Sequence, residues 1–178
     1  MKVLITFCVA ISLLFTSCTY YLSPYTSTTQ AQTNFNEDQL KKVQFYLEGD
    51  ITLYRDFGNS ETEITSGEIK IVDGKKVEQI YIASGTPGVV MKAENKDTWL
   101  VSFEKDGSFL RFGVNNDYSG KYTLMAKDWD GRVGIIDYAG KEYRSTPESI
   151  YAYLAVNMEK INNTTVESKK AEGRTIDK

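Results

Sequence analysis

Between Val43 and Tyr143 apolar and polar positions alternate in short runs, and Gly, Asp or Asn punctuates the chain every eight to twelve residues or so, which is an all-β rhythm. Val43, Phe45 and Leu47 share a face, Glu48-Gly49-Asp50 turns the chain, and Ile51 and Leu53 resume the alternation; the pair reads as a hairpin. Ile69 and Ile71 lead into Asp73-Gly74, a dipeptide suited to a tight hairpin turn because both of its central positions need positive φ. Val77 to Ala83 returns with Ile80 and Ile82 inward. Three further strands follow: Val89-Val90-Met91, then Trp99, Val101 and Phe103, then, past an Asp106-Gly107 turn, Phe109 to Val114. Tyr122, Leu124 and Ala126 form another, Asp130-Gly131 turns it, and Val133, Ile135 and Ile136 begin a last long strand ending near Tyr143.

About nine or ten short antiparallel strands result, too many for an open sheet without exposed edges, so closure into a barrel or folding into a sandwich is expected. After them, Ser145-Thr146-Pro147-Glu148 is a helix start: a hydroxyl to cap, Pro at the first helical position and an acid near the positive end of the dipole. Ile150, Tyr151, Leu154, Met158 and Ile161 recur at spacings of three and four, which predicts a C-terminal helix over 146–161 covering an edge or an open barrel end. Residues 162–178 are polar and patternless and read as a disordered tail.

The stretch from Gly85 to Gly113 has a Gly-Thr-Pro-Gly turn, an apolar strand, a polar tip at Glu94 to Asp97 and an alternating strand ending in Phe103-Glu104. It resembles small SH3-like barrels. That resemblance implies a small barrel used as a binding or adaptor module, and brings no peptide-binding residue with it.

The first eighteen residues carry a different pattern. Lys2 is followed by an apolar run from Val3 to Phe15, too short for a membrane span of roughly twenty residues and right for an export signal. The run ends in Leu13-Leu14-Phe15-Thr16-Ser17-Cys18, which resembles the lipobox of bacterial lipoproteins, with Phe15 where Leu is usual. The resemblance implies cleavage after Ser17 and attachment of diacylglycerol to the Cys18 thiol, so that the mature protein is held on a bilayer without a transmembrane helix. The looser form, together with the strings Leu40-Lys41-Lys42-Val43-Gln44-Phe45-Tyr46 and Ala126-Lys127-Asp128-Trp129-Asp130, is similar to uncharacterised lipoproteins of the Bacteroides lineage. Thr19 lacks the acidic character tied to inner-membrane retention, which places the expected location in the cell envelope, at the outer membrane facing the periplasm.

Residues 18–38 then read as a tether. From Thr19 to Asn34 there is no charge, abundant Ser, Thr, Gln and Tyr, and neither helical nor strand periodicity, which would allow a reach of at most roughly 50–55 Å. The β domain is expected over 39–145, a single domain in a chain of 178 residues.

Composition narrows the chemistry. There is no histidine, which removes the commonest general base and metal ligand, and the two cysteines are Cys8 in the signal and Cys18 at its end. The body therefore has no thiolate, disulfide or sulfur-ligated zinc. A formal charge of -3 without a basic run offers no footprint for nucleic acid. Asp128-Trp129-Asp130-Gly131 has the beginning of a calcium loop, but the acid needed further on falls at Asp137, inside an apolar strand; a turn with a packed Trp is the better reading, and neither metal nor cofactor is expected. Asn115, Asn116, Asp117 and Tyr118 form a polar loop, the one stretch of the body singled out as an interaction loop, with an ordinary turn as the plainer account. The 12 tyrosines and 8 phenylalanines serve core packing first, and any left on an outer face would suit glycan or protein contacts. These features point to a non-enzymatic envelope lipoprotein that binds a protein or an envelope polymer. The alternative is a carboxylate-dependent hydrolase or a carrier of a small apolar ligand, which would need a deep pocket or an empty interior.

Overall fold

The computed structural model describes residues 21–56, 67–72 and 75–164. It is all-β. The segment read as an export signal, Cys18 and the Asp73-Gly74 turn lie outside the described residues; of the expected tail at 162–178, residues 162–164 are helical instead and 165–178 lie outside the described residues.

Among the described residues two sheets are built from thirteen strands, more than periodicity implied, because strands of two to four residues escape a pattern reading. The first contains β1 (Ser23–Pro24), β2 (Phe45–Glu48), β6 (Pro87–Asn95), β7 (Thr98–Ser102), β8 (Phe109–Asn115), β9 (Lys121–Leu124) and β13 (Tyr153–Val156). Its order is β13-β2-β6-β7-β8-β9, and β9 pairs back onto β13 through Tyr153 and Thr123, so six antiparallel strands close into a barrel. Two register shifts in β6, at Val90/Lys92 and Ala93/Asn95, supply the extra bend that closure demands. The stretch from Gly85 to Gly113 forms most of the β6-β7-β8 meander of this barrel.

The second sheet has the order β10 (Asp128–Asp130), β11 (Val133–Tyr138), β12 (Lys141–Ser145), β3 (Ile51–Asp56), β5 (Lys75–Ile82), β4 (Glu68–Val72). Its inner residues, among them Leu53, Ile80, Ile136 and Tyr143, join the barrel's own Leu47, Val101 and Leu110 in one hydrophobic core. Within that core Glu78 is fully buried and held by Arg55, whose guanidinium lies over the Tyr143 ring.

Four sequence expectations are corrected by this topology. β2 and β3 do not form a hairpin. They belong to different sheets, and Gly49 (φ 85°) turns a corner stitched by the Gly49 N–H to Ser84 Oγ (3.2 Å) and the Ser84 N–H to Asp50 Oδ1 (2.8 Å). The last long strand is instead a hairpin, β11-β12, turned at Ala139-Gly140, where both residues have positive φ.

The expected helix over 146–161 is replaced by a 3-10 turn (Pro147–Tyr151), strand β13 and a short helix, α3 (Met158–Thr164). Thr146 caps nothing with its side chain. The Ser149 hydroxyl accepts from the Thr52 N–H (3.0 Å) and ties the turn to β3. Leu154 and Val156 then alternate inward as the stave that closes the barrel, an environment a single-chain pattern does not show.

The tether is the fourth correction. From Ser23 onward it is folded: Ser23 and Pro24 pair with Val156 and Ala155, Thr26 bridges to Lys121, and two short helices, α1 (Ser27–Thr33) and α2 (Glu37–Leu40), follow. Tyr25 is 0% exposed. Its backbone bonds β13 through Leu154 and β9 through Tyr122, so these residues form a wedge in the barrel seam. Inside, Tyr25 packs on Phe45 (5.3 Å between centroids) and Trp99 (5.4 Å), and Trp99 stacks on Tyr122 (3.9 Å, 19°). Phe35, and after the segment Leu40 and Val43, are buried in the same core. A fully buried ring of this size stabilises the fold by about 1.5–3 kcal/mol, which a solvated linker would forgo.

Candidate functional site

The polar loop singled out in the sequence connects β8 to β9. Asn115 Oδ1 accepts from the Tyr118 N–H (3.2 Å) and caps a 3-10 turn over Asn116–Tyr118. Ser119 and Gly120 then take positive φ, a conformation that favours glycine, and a Cβ on Gly120 would displace the Ser27 hydroxyl, whose Oγ would lie 2.6 Å away. The Gly120 carbonyl accepts from the Ser27 N–H (2.8 Å), which fastens the loop to α1.

So placed, the loop folds against the flank of the barrel and forms one wall of an open cleft of about 340 Å³, lined by Asn115, Asp117, Tyr118, Trp129, Gly131, Ile150 and Tyr151. Three of the four residues expected to interact are there; Asn116 is exposed and does not line the cleft. Trp129 and Tyr151 were not expected. Trp129, read as a packed turn residue, is 44% exposed, and Tyr151, read as part of a helical stripe, is 48% exposed on the 3-10 turn. β10 is an edge strand whose three residues are all exposed, which leaves the Trp129 ring in contact with water.

Cations hold the rings. Lys121 Nζ sits 4.3 Å from the Tyr118 centroid and 4.1 Å from that of Tyr153, while the Arg132 guanidinium lies 5.5 Å from the Tyr151 centroid and donates to its hydroxyl (3.0 Å). Tyr118 packs at 6.1 Å from Tyr151 and 6.3 Å from Tyr153. Burial, with Glu48 and Tyr118 adding to it, pushes the Tyr153 hydroxyl above its ordinary value, so it is the protonated, neutral ring that Lys121 covers.

The acids do not converge. Asp117 is the one carboxylate among the described residues lining the cleft. Asp128 accepts from the Trp129 N–H (2.8 Å) and Asp130 from Arg144 (2.8 Å). Among the described residues no three potential ligands cluster as a metal site, and no helix is long and apolar enough to cross a membrane.

No protein-family model matches the chain, and comparison with curated proteins and with solved structures finds no significant match. The fold and the cleft describe an all-β protein with a closed barrel, a second sheet and an open cleft flanked by aromatic rings.

The one sequence signal for the missed residues is Asp128-Trp129-Asp130, a large ring between two charges beside a turn glycine. Tyr118, Trp129 and Tyr151 come together only through the topology.

Proposed function

We propose that this chain is a cell-envelope lipoprotein, anchored through Cys18, whose β domain is a non-catalytic binding module for an envelope glycan. The observation that carries the reading is the flank cleft, where exposed aromatic rings meet polar edge groups. A pyranose has an apolar C–H face that covers an aromatic ring and a rim of hydroxyls that both donate and accept. Trp129 and Tyr151 offer rings, and Asp117 and Asn115 offer polar groups beside them. Pockets that fix small ligands are built in this way, from apolar walls and a few placed polar groups. A glycosidase of the usual kind uses two carboxyl groups, and among the described residues that line the cleft Asp117 is the one acid. The anchor is supported by the lipobox-like end of the apolar run at Ser17-Cys18.

Two measurements test this. Replacing Cys18 by Ala releases the protein from the membrane fraction, and blocking lipoprotein signal peptidase leaves a larger precursor; if neither treatment alters the protein, the anchor is lost. Soluble peptidoglycan fragments and a chitin oligosaccharide are then titrated against tryptophan emission. A saturable change supports the module, and a flat response to both sugars removes it.

A further inference from the structure

The wedge at the barrel seam changes what an anchor at Cys18 would do. Ser23 is paired with Val156, and Tyr25 is locked between β13 and β9, so the fold begins five positions after Cys18. At about 3.3–3.6 Å per residue, that leash spans at most roughly 18 Å. A tether running to residue 38 would have let the domain stand several times further off.

We infer that the domain sits against the bilayer, with the end of the barrel around Ser23 and Asn157 facing the lipid headgroups. This rests on the Cys18 anchor and is independent of the glycan reading. Residues at that end are set by the topology. Val156 pairs with both Ser23 and Phe45, and the next residue, Asn157, lines a shallow groove with Lys42, Gln44, Tyr46 and Lys160. Tyr21, in the leash itself, is 88% exposed, and a tyrosine ring is suited to the headgroup layer. The opposite pole is the second sheet. The corners that lead into it leave the barrel at Glu48, Leu124 and Tyr153, the far ends of β2, β9 and β13.

Charge does not seat the domain. Exposed Lys42 and Lys160 share this end with exposed Glu159, and Lys41 is paired with Glu37 (2.6 Å). The leash length does the positioning, so high salt leaves the arrangement in place.

The test uses the lipidated full chain in phosphatidylethanolamine/phosphatidylglycerol vesicles with a spin-labelled headgroup. Because the mature body has no cysteine beyond Cys18, Lys42→Cys or Glu142→Cys places a single fluorophore at the near or the far pole. The label at 42 is expected to be quenched several-fold more than the label at 142, in low and high salt alike. A flexible Gly/Ser insertion between Cys18 and Ser23 is expected to erase the difference. Protein that floats with vesicles but shows equal quenching at both positions overturns the seating and leaves the anchor standing. A difference that survives the insertion overturns the leash as its cause. Protein that does not float overturns the anchor and the seating together.

Discussion

The same side-chain types line the inside of the barrel and an open cleft beside it, and they do opposite things. Inside, Tyr25, Phe45, Trp99 and Tyr122 are fully buried and packed ring against ring. Outside, Tyr118, Trp129 and Tyr151 flank an open cleft, and cations support two of the three rings from one side. Successive residues of β9 make the division: Lys121 reaches out over Tyr118 and Tyr153, while Tyr122 points in and donates its hydroxyl to the Lys96 carbonyl (2.7 Å). An aromatic count therefore says little about binding. Whether a ring stabilises the fold or meets a ligand depends on which face of the strand it occupies and on what the neighbouring chain covers.

The comparison breaks most visibly at its buried member. Trp99→Ala should destabilise the protein by about 3–5 kcal/mol, read as a lower urea midpoint, because a large ring leaves a cavity in a closed barrel. A loss comparable to that of a surface substitution would mean the interior is not packed as described.

Raising the pH sharpens it next. Burial, as the largest cause, pushes the hydroxyls of Tyr25, Tyr122, Tyr138 and Tyr143 above the ordinary 10.0. A raised folded-state pKa contributes stability that is fully present below pH 10 and is lost as pH climbs through the folded-state values above it. The urea midpoint should hold up to about pH 9 and fall beyond about pH 10. An unchanged midpoint in strong alkali, followed alongside tyrosinate absorbance, would contradict the burial.

At the cleft the order of effects reverses. Trp129→Ala should change stability by no more than about 0.5 kcal/mol, yet weaken sugar binding by about fivefold, the equivalent of one stacked ring at roughly 1 kcal/mol. Calorimetric titration and urea unfolding of one preparation give both numbers, and a variant that unfolds early while binding normally would exchange the roles of the two surfaces. The smallest effect expected is that of Lys121→Met, about 0.5 kcal/mol of stability from the cation over two rings.

The strands of both sheets were legible because period-two alternation is local. Phe45, Leu47, Ile51, Leu53, Ile80, Ile82, Trp99 and Val101 all face the core as the pattern required. Pairing was less legible. Glu48-Gly49-Asp50 carries the same turn residues whether the chain reverses within a sheet or passes to another, and the Ser84 bonds that decide the matter come from a distant corner. Of the candidate site, the loop at Asn115 to Tyr118 could be read, since capping and turn residues announce themselves within a few positions. Its partners Trp129 and Tyr151 could not.

The sequence alone determined the strand rhythm, the glycines that reverse the chain, and the absence of imidazole and thiol chemistry from the body, because each depends on residues close together or on composition. The tertiary structure decided the fate of the stretches that look ambiguous in isolation. Ser23 to Thr26 became a wedge in the seam and Tyr153 to Val156 a barrel stave, though neither is long enough to declare itself. Their unpaired backbone and apolar side chains find partners only where two distant strands leave a gap, and that gap does not exist until the rest of the barrel has closed around it.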